Sequence, residues 1–211
     1  MKRGIWSAAA AAFAMLATTA AIGQTPAAGG EPGAALLAIN TLPAKSPAKL
    51  RVTSPAFRSG GDMPMQNTSY QDSVFPGLSW SWGPYGTRSY ALIMQDDDAI
   101  YHGAAILHFS LYDIDGGVRR LAAGMTEPPA GASFGPNIAG PAKAYMGPHA
   151  PPGPRHHYHF QVFALDETIA PTPIKTYADL TAAMSGHVLA SGEVVALAHA
   201  PDTPPPAPAA H

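Results

Sequence analysis

The chain contains no cysteine. That excludes a disulfide framework and excludes lipid attachment at a cysteine, so the folded protein is held by its packed core alone. Charge is also scarce, with Asp, Glu, Lys and Arg making up 12% of the residues. Long solvent-facing helices laced with ion pairs are therefore disfavoured. There is no basic surplus either: 12 Lys and Arg stand against 14 Asp and Glu, which excludes a surface built to track nucleic acid. What the sequence has in quantity is 21 Gly and 23 Pro, the composition of short strands joined by many turns. Its 211 residues suffice for one domain with a proper core.

The ends read separately from the middle. Lys2 and Arg3 precede an uncharged, Ala-rich stretch from Ile5 to Ile22, and Ala21-Ile22-Gly23 supplies the small residues of a cleavage site before Gln24. This is the three-part pattern of a secretory signal peptide over residues 1–23. The competing reading, a membrane anchor, requires a more hydrophobic run. The expectation is export to the periplasm or the medium, with no transmembrane anchor once the signal is removed. Residues 24–48, rich in Ala, Gly and Pro around an apolar patch at Leu36-Leu37-Ala38-Ile39, read as an extended linker. Residues 200–211 read as a Pro-rich tail. The domain is expected over 49–199.

Within it, Leu50–Thr53, Ser89–Gln95, Ala104–Tyr112, His157–Leu165 and Glu193–Ala198 have the runs and alternation of strands. Ser89–Gln95 is apolar almost without a break, as suits a strand covered on both faces. One helix is marked by Thr176 and Asp179 as a capping box, by Leu180, Ala183 and Met184 on one side, and by Gly186 as its stop. The fold class expected is mainly β, a sandwich of two antiparallel sheets with a short C-terminal helix.

Four stretches carry unusual polar groups. Side chains two apart on a strand share a face, so His156, Tyr158, Phe160, Val162 and Ala164 form one row, apolar except at its start. Such a row places an imidazole and a phenol at the rim of a core, where they either satisfy buried backbone groups or line a pocket. His108 shares a face with Ile106 and Ser110, opposite Leu107, Phe109 and Leu111. Asp96-Asp97-Asp98 closes an apolar strand, and three adjacent carboxylates belong in solvent unless a His or a metal holds one. His157 and His159, on the other face of their strand, could chelate a metal, but no H-E-x-x-H pattern is present and a protein-held catalytic metal is not expected. Gly131-Ala132-Ser133-Phe134-Gly135 matches G-x-S-x-G. The prolines on either side of it deny the strand and helix that a nucleophile elbow requires, so the match is chance.

Taken in order, these segments resemble the phosphatidylethanolamine-binding-protein family in its bacterial Raf-kinase-inhibitor-like branch, from about Leu50 to Ala198. The resemblance rests on Thr53-Ser54-Pro55-Ala56-Phe57, Gly60-Gly61-Asp62-Met63-Pro64 and Pro76-Gly77-Leu78-Ser79-Trp80. It continues with Asp96-Asp97-Asp98-Ala99-Ile100 at the place of the family's D-P-D-A-P and His108-Phe109 at the place of His-Trp. Tyr145-Met146-Gly147-Pro148-His149-Ala150-Pro151-Pro152-Gly153 is similar to the family's glycine-rich segment, and His156-His157-Tyr158-His159-Phe160 to H-R-Y-x-F. The resemblance implies a sandwich with a small pocket at one end for phosphate-like anions or phospholipid head groups. It implies that Asp96, His108, His156 and Tyr158 line that pocket with Gly147 and Pro148, and that Asp98 braces the loop. It implies a binding protein without catalysis and without a cofactor. A protein-binding regulator such as a protease inhibitor is the second reading. A hydrolase using His and Asp is the third and lacks an evident nucleophile. Three departures stand out: Asp97 and Ile100 replace prolines, Phe109 replaces Trp, and His157 replaces Arg.

Overall fold

The computed structural model describes residues 33–169 and 173–201. The expected signal segment 1–23 and all but the start of the 200–211 tail lie outside the described residues. Among the described residues nine strands form two sheets. The larger has the order β2-β9-β8-β4-β5-β7 and the smaller β1-β3-β6. The long strands are β4 (Ser89–Tyr101), β5 (Ala104–Asp115), β8 (His156–Leu165) and β9 (Val188–Ala198). Short ones complete the sheets: β1 (Val52–Thr53), β2 (Gly61–Asp62), β3 (Leu78–Trp80), β6 (Arg120–Leu121) and β7 (Ser133–Phe134). Every pairing is antiparallel except that of the edge strand β2 with β9, which is parallel.

Two apolar layers lie on the two faces of the large sheet. On one face Tyr90, Leu92, Met94, Phe109, Leu111, Phe160 and Val162 pack under Leu78 and Trp80 of the small sheet. On the other, Ala91, Ile93, Phe163 and Leu165 pack under α2 (Tyr177–Met184), whose Leu180 and Met184 are buried. The unbroken apolar run of β4 follows directly, since its odd and even residues each meet a core. The capping box at α2 is present in both halves. Asp179 N–H donates to Thr176 Oγ1 at 3.1 Å and Thr176 N–H donates to Asp179 Oδ2 at 2.9 Å. Gly186, at φ 79°, takes the left-handed turn that ends the helix.

The linker expected over 24–48 is corrected where the structure describes it. A 3-10 turn at Ala34–Leu36 leads into α1 (Ala38–Thr41); Leu37 is buried, and Ala38 and Leu42 are buried against the helix-side face of the large sheet. The free N–H groups of the first turn are met by two buried amides. Ala38 N–H donates to Gln95 Oε1 at 2.8 Å and Ile39 N–H to Gln161 Oε1 at 2.7 Å. Gln161 Nε2 in turn donates to Gln95 Oε1 at 3.0 Å. The apolar patch Leu36–Ile39 is thus a core segment, and each Leu it buries contributes roughly 1.5–3 kcal/mol. Its Pro- and Gly-rich surroundings disguise it as a tether.

β5 departs from simple alternation at His108. Met94 pairs with Phe109 and Gln95 with Leu107, so His108 is an extra residue between two rungs. This bulge ends the simple alternation. Leu107 faces α2, Phe109 and Leu111 face the small sheet, and the ring of His108 turns to the same side as Phe109.

Candidate functional site

The site is built where three strands of the large sheet meet at one end. On β8, alternation sends Tyr158 into the small-sheet side, and β4 sets Asp96 directly opposite it in the ladder. The bulge on β5 delivers His108, whose ring meets that of Tyr158 edge-on at 5.1 Å between centroids. His156 lies two residues before Tyr158, stacked at 6.5 Å. Its Nδ1 is 2.8 Å from Asp96 Oδ2. The other Asp96 oxygen accepts from Asp98 N–H at 3.0 Å. Both oxygens of Asp96 are therefore committed, and an ionised carboxylate only accepts, so Nδ1 of His156 carries the proton and Nε2 is left for another partner. Of the six residues expected at a pocket, Asp96, His108, His156 and Tyr158 come together.

Gly147 and Pro148 belong to a wall beside them. Ser69 donates from its hydroxyl to Gly147 O at 2.8 Å and from its N–H to Pro148 O at 2.9 Å. The approach at Gly147 is so close that a Cβ there would stand 2.6 Å from Asn67 O. Tyr145 Oη donates to Asn67 O at 2.8 Å, Tyr70 donates to Ala150 O, and the rings of Tyr70 and His149 stack at 4.7 Å. The motif segment Tyr145–Gly153 contained His149, but nothing in the sequence marked Ser69 or Tyr70 as its anchor. Asp98 accepts from His157 N–H and lies 2.9 Å from His157 Nδ1, tying the end of β4 to β8.

The cluster is dry. Asp96 is 3% exposed, His108 5% and Tyr158 0%. Burial lowers the His108 pKa, against the pull of Asp96 and of the Met146 and Gly147 main chain. Burial, then Asp96, pushes the Tyr158 hydroxyl well above its ordinary range. At neutral pH the ring is a neutral imidazole and the phenol a donor. Neither His108 Nδ1 nor Tyr158 Oη, both buried, has a hydrogen-bond partner. Unpaired buried polar atoms cost about 1–3 kcal/mol each, and the two belong to rings 5.1 Å apart. A cavity of about 540 Å³ lies elsewhere, lined by residues such as Tyr101, Ile106, Ile138 and Tyr177. Ser133 of the G-x-S-x-G match sits in the two-residue strand β7, not on a strand-to-helix turn. Two trios of side chains could in principle share a cation, Asp96 with Asp98 and His156, and Asp97 with Asp98 and His157.

A family model described as phosphatidylethanolamine-binding protein matches residues 53–199. The chain belongs to that family. Among its relatives in the phosphatidylethanolamine-binding protein family, the UPF0098 protein of Aquifex aeolicus is 32% identical over 152 residues, 70% of this chain and 87% of that one. A Mycobacterium tuberculosis protein whose name describes a candidate lipoprotein, LppC, is 36% identical over 126 residues, 59% of this chain and 60% of that one. Among solved structures, Escherichia coli YbcL, described as a new member of the mammalian family, superposes with a TM-score of 0.66 at 25% identity, over 73% of this chain and all of YbcL. A homologue from Chlamydia trachomatis gives 0.65 at 28% identity, over 72% of this chain and 99% of the other. The sandwich is thus the phosphatidylethanolamine-binding protein fold. Its helix-side clip at Ala38–Thr41 precedes the matched region.

Proposed function

We propose that the protein is an exported, non-catalytic binding protein that takes a phosphate-like anion or phospholipid head group at Asp96, His108, His156 and Tyr158. The reading rests most on one observation: His108 Nδ1 and Tyr158 Oη are buried and unpartnered, while Asp96 holds His156 in a fixed tautomer. An oxyanion that accepts from the phenol and the imidazoles meets the unsatisfied groups together, and such charge-assisted bonds are the strong ones in a dry site. Asp96 does not oppose the anion, because its charge is spent on His156 and on the Asp98 N–H. Among the described residues no serine or threonine hydroxyl hydrogen-bonds to the ring of His108 or His156, which favours binding over hydrolysis. Export is supported by the signal-like residues 1–23. The sequence holds no cysteine to carry a lipid of the kind that LppC's name implies. Because burial holds the His108 pKa down, anion affinity should grow as pH falls below the ordinary histidine range. Titration calorimetry of phosphate and of phosphoethanolamine against wild type and His108→Gln tests the reading. Saturable binding that weakens in the variant and at higher pH is expected. No saturable heat with either ligand would sink it.

A further inference from the structure

On β4 the ladder with β5 breaks after Asp96, which pairs with Ile106, and resumes at Ile100, which pairs with Ala105. Asp97 and Asp98 lie in the excursion between. Alternation along β8 sets His157 and His159 on the face away from the anion cluster, and these two carboxylates meet them there. Asp98 Oδ2 is 2.9 Å from His157 Nδ1. Asp97 Oδ2 is 3.3 Å from His159 Nε2, a pair distance without hydrogen-bond alignment, since His159 Nε2 has no bonded partner. Glu193 fixes His159 from behind, Oε2 to Nδ1 at 2.9 Å.

Asp97 is the odd member. It is 5% exposed, and Gly33 closes over its main chain so tightly that a Cβ on Gly33 would stand 1.7 Å from Asp97 O. Yet Asp97 Oδ1 accepts no hydrogen bond. A buried carboxylate oxygen with nothing to accept is expensive, and a second carboxylate follows it in the chain. Something positive belongs between the two acids. One ligand atom from each of Asp97, Asp98 and His157 lies within 4.8 Å of the others. Donors about 2.1 Å from a shared ion stand roughly 3–4 Å apart, so small rotations of the exposed His157 ring and of Asp98 close the set.

We propose that Asp97, Asp98 and His157 bind one divalent first-row metal ion of the Zn2+ type, on the face of the large sheet opposite the anion cluster. Two carboxylate oxygens and one imidazole nitrogen are the mixed donors such an ion takes. Glu193, 2.9 Å from His159 Nδ1, holds that imidazole in place 3.3 Å from the Asp97 carboxylate. The site uses none of the four anion-site residues, so it stands or falls separately from the function proposed above.

Untagged protein, stripped with a chelator and exchanged into phosphate-free buffer at neutral pH, is titrated with ZnCl2 in a calorimeter and melted with and without the metal. A single equivalent is expected to bind and to raise the melting temperature. His157→Gln and Asp97→Asn should each weaken binding at least about tenfold, while His156→Gln leaves it unchanged. The His157 side chain is 44% exposed, so the metal-free melting temperature of that variant should stay close to wild type and certify its fold. Wild type that takes up no Zn2+, or binding that survives His157→Gln, would overturn the proposal. So would a wild type indifferent to Zn2+ that gains stability from Asp97→Asn, which would assign the position a proton instead.

Discussion

Tyr158→Phe removes one oxygen atom and leaves everything else at the anion cluster in place, so its effect can be worked out with unusual directness. The ring is wholly buried and its hydroxyl has no partner. Phenylalanine keeps the edge-on contact with His108 and deletes the unsatisfied atom. A buried hydroxyl without a partner costs about 1–3 kcal/mol, and allowing for partial relaxation the variant should be about 1 kcal/mol more stable than wild type in phosphate-free buffer. The same hydroxyl is a donor to the proposed anion. Losing a hydrogen bond to a charged group costs about 1.5–3 kcal/mol, which is roughly 10- to 150-fold in affinity. Added phosphate at concentration c stabilises a binder by RT ln(1 + c/Kd), so the order of the two proteins should invert as phosphate rises. Urea unfolding with and without phosphate reads both effects. A variant that loses more than about 1 kcal/mol without phosphate, or that gains as much from phosphate as wild type does, would refute the reasoning.

Other expectations follow from the packing. Gly147→Ala forces a Cβ to within 2.6 Å of the Asn67 carbonyl oxygen and 2.8 Å of the Thr68 carbonyl carbon. Neither backbone atom can yield cheaply, so a loss of about 1–3 kcal/mol is expected in thermal melts. Gln161→Ala strips the acceptor from Ile39 N–H and should cost about 1–3 kcal/mol, with faster hydrogen exchange at Ile39 than at Leu180. His159 is held against burial by Glu193 and then by Asp97, which together raise its pKa above 6.5. A histidine whose folded pKa is raised stabilises below its unfolded value and loses that contribution as pH climbs through the folded one. Stability measured by urea titration should therefore decline above about pH 6.5, and the decline should flatten in His159→Gln.

Periodic features were legible. The row Tyr158, Phe160, Val162 and Ala164 faces the core, β4 is covered on both faces, and the Thr176–Asp179 cap starts the helix, because each depends on residues close in sequence. Features that depend on a distant partner were not. The bulge at His108 arises from a mismatch of register with β4, and no local pattern announces it. Simple alternation put His108 opposite Phe109, whereas the bulge puts both on one side and brings the imidazole to Tyr158. The Leu36–Ile39 patch read as part of a tether because Gln95 and Gln161, which receive its N–H groups, lie far down the chain and are themselves buried polar residues that composition alone would place outside. The Asp96-Asp97-Asp98 run was expected in solvent unless a histidine or a metal held one of its carboxylates. Each of the three carboxylates faces its own histidine, a pairing that only the β4–β8 register makes.

The early clip has a bearing on where this domain starts as a physical object. The region similar to the family begins at residue 53, and a fragment trimmed there would look complete on a sequence comparison. It would also leave Ile93, Phe163 and the two glutamines of the central strands bare to water at one edge of the helix layer, an adhesive strip on an otherwise finished protein. Such a fragment should clump or demand a substitute cover, whereas one starting near Gly33 carries its own.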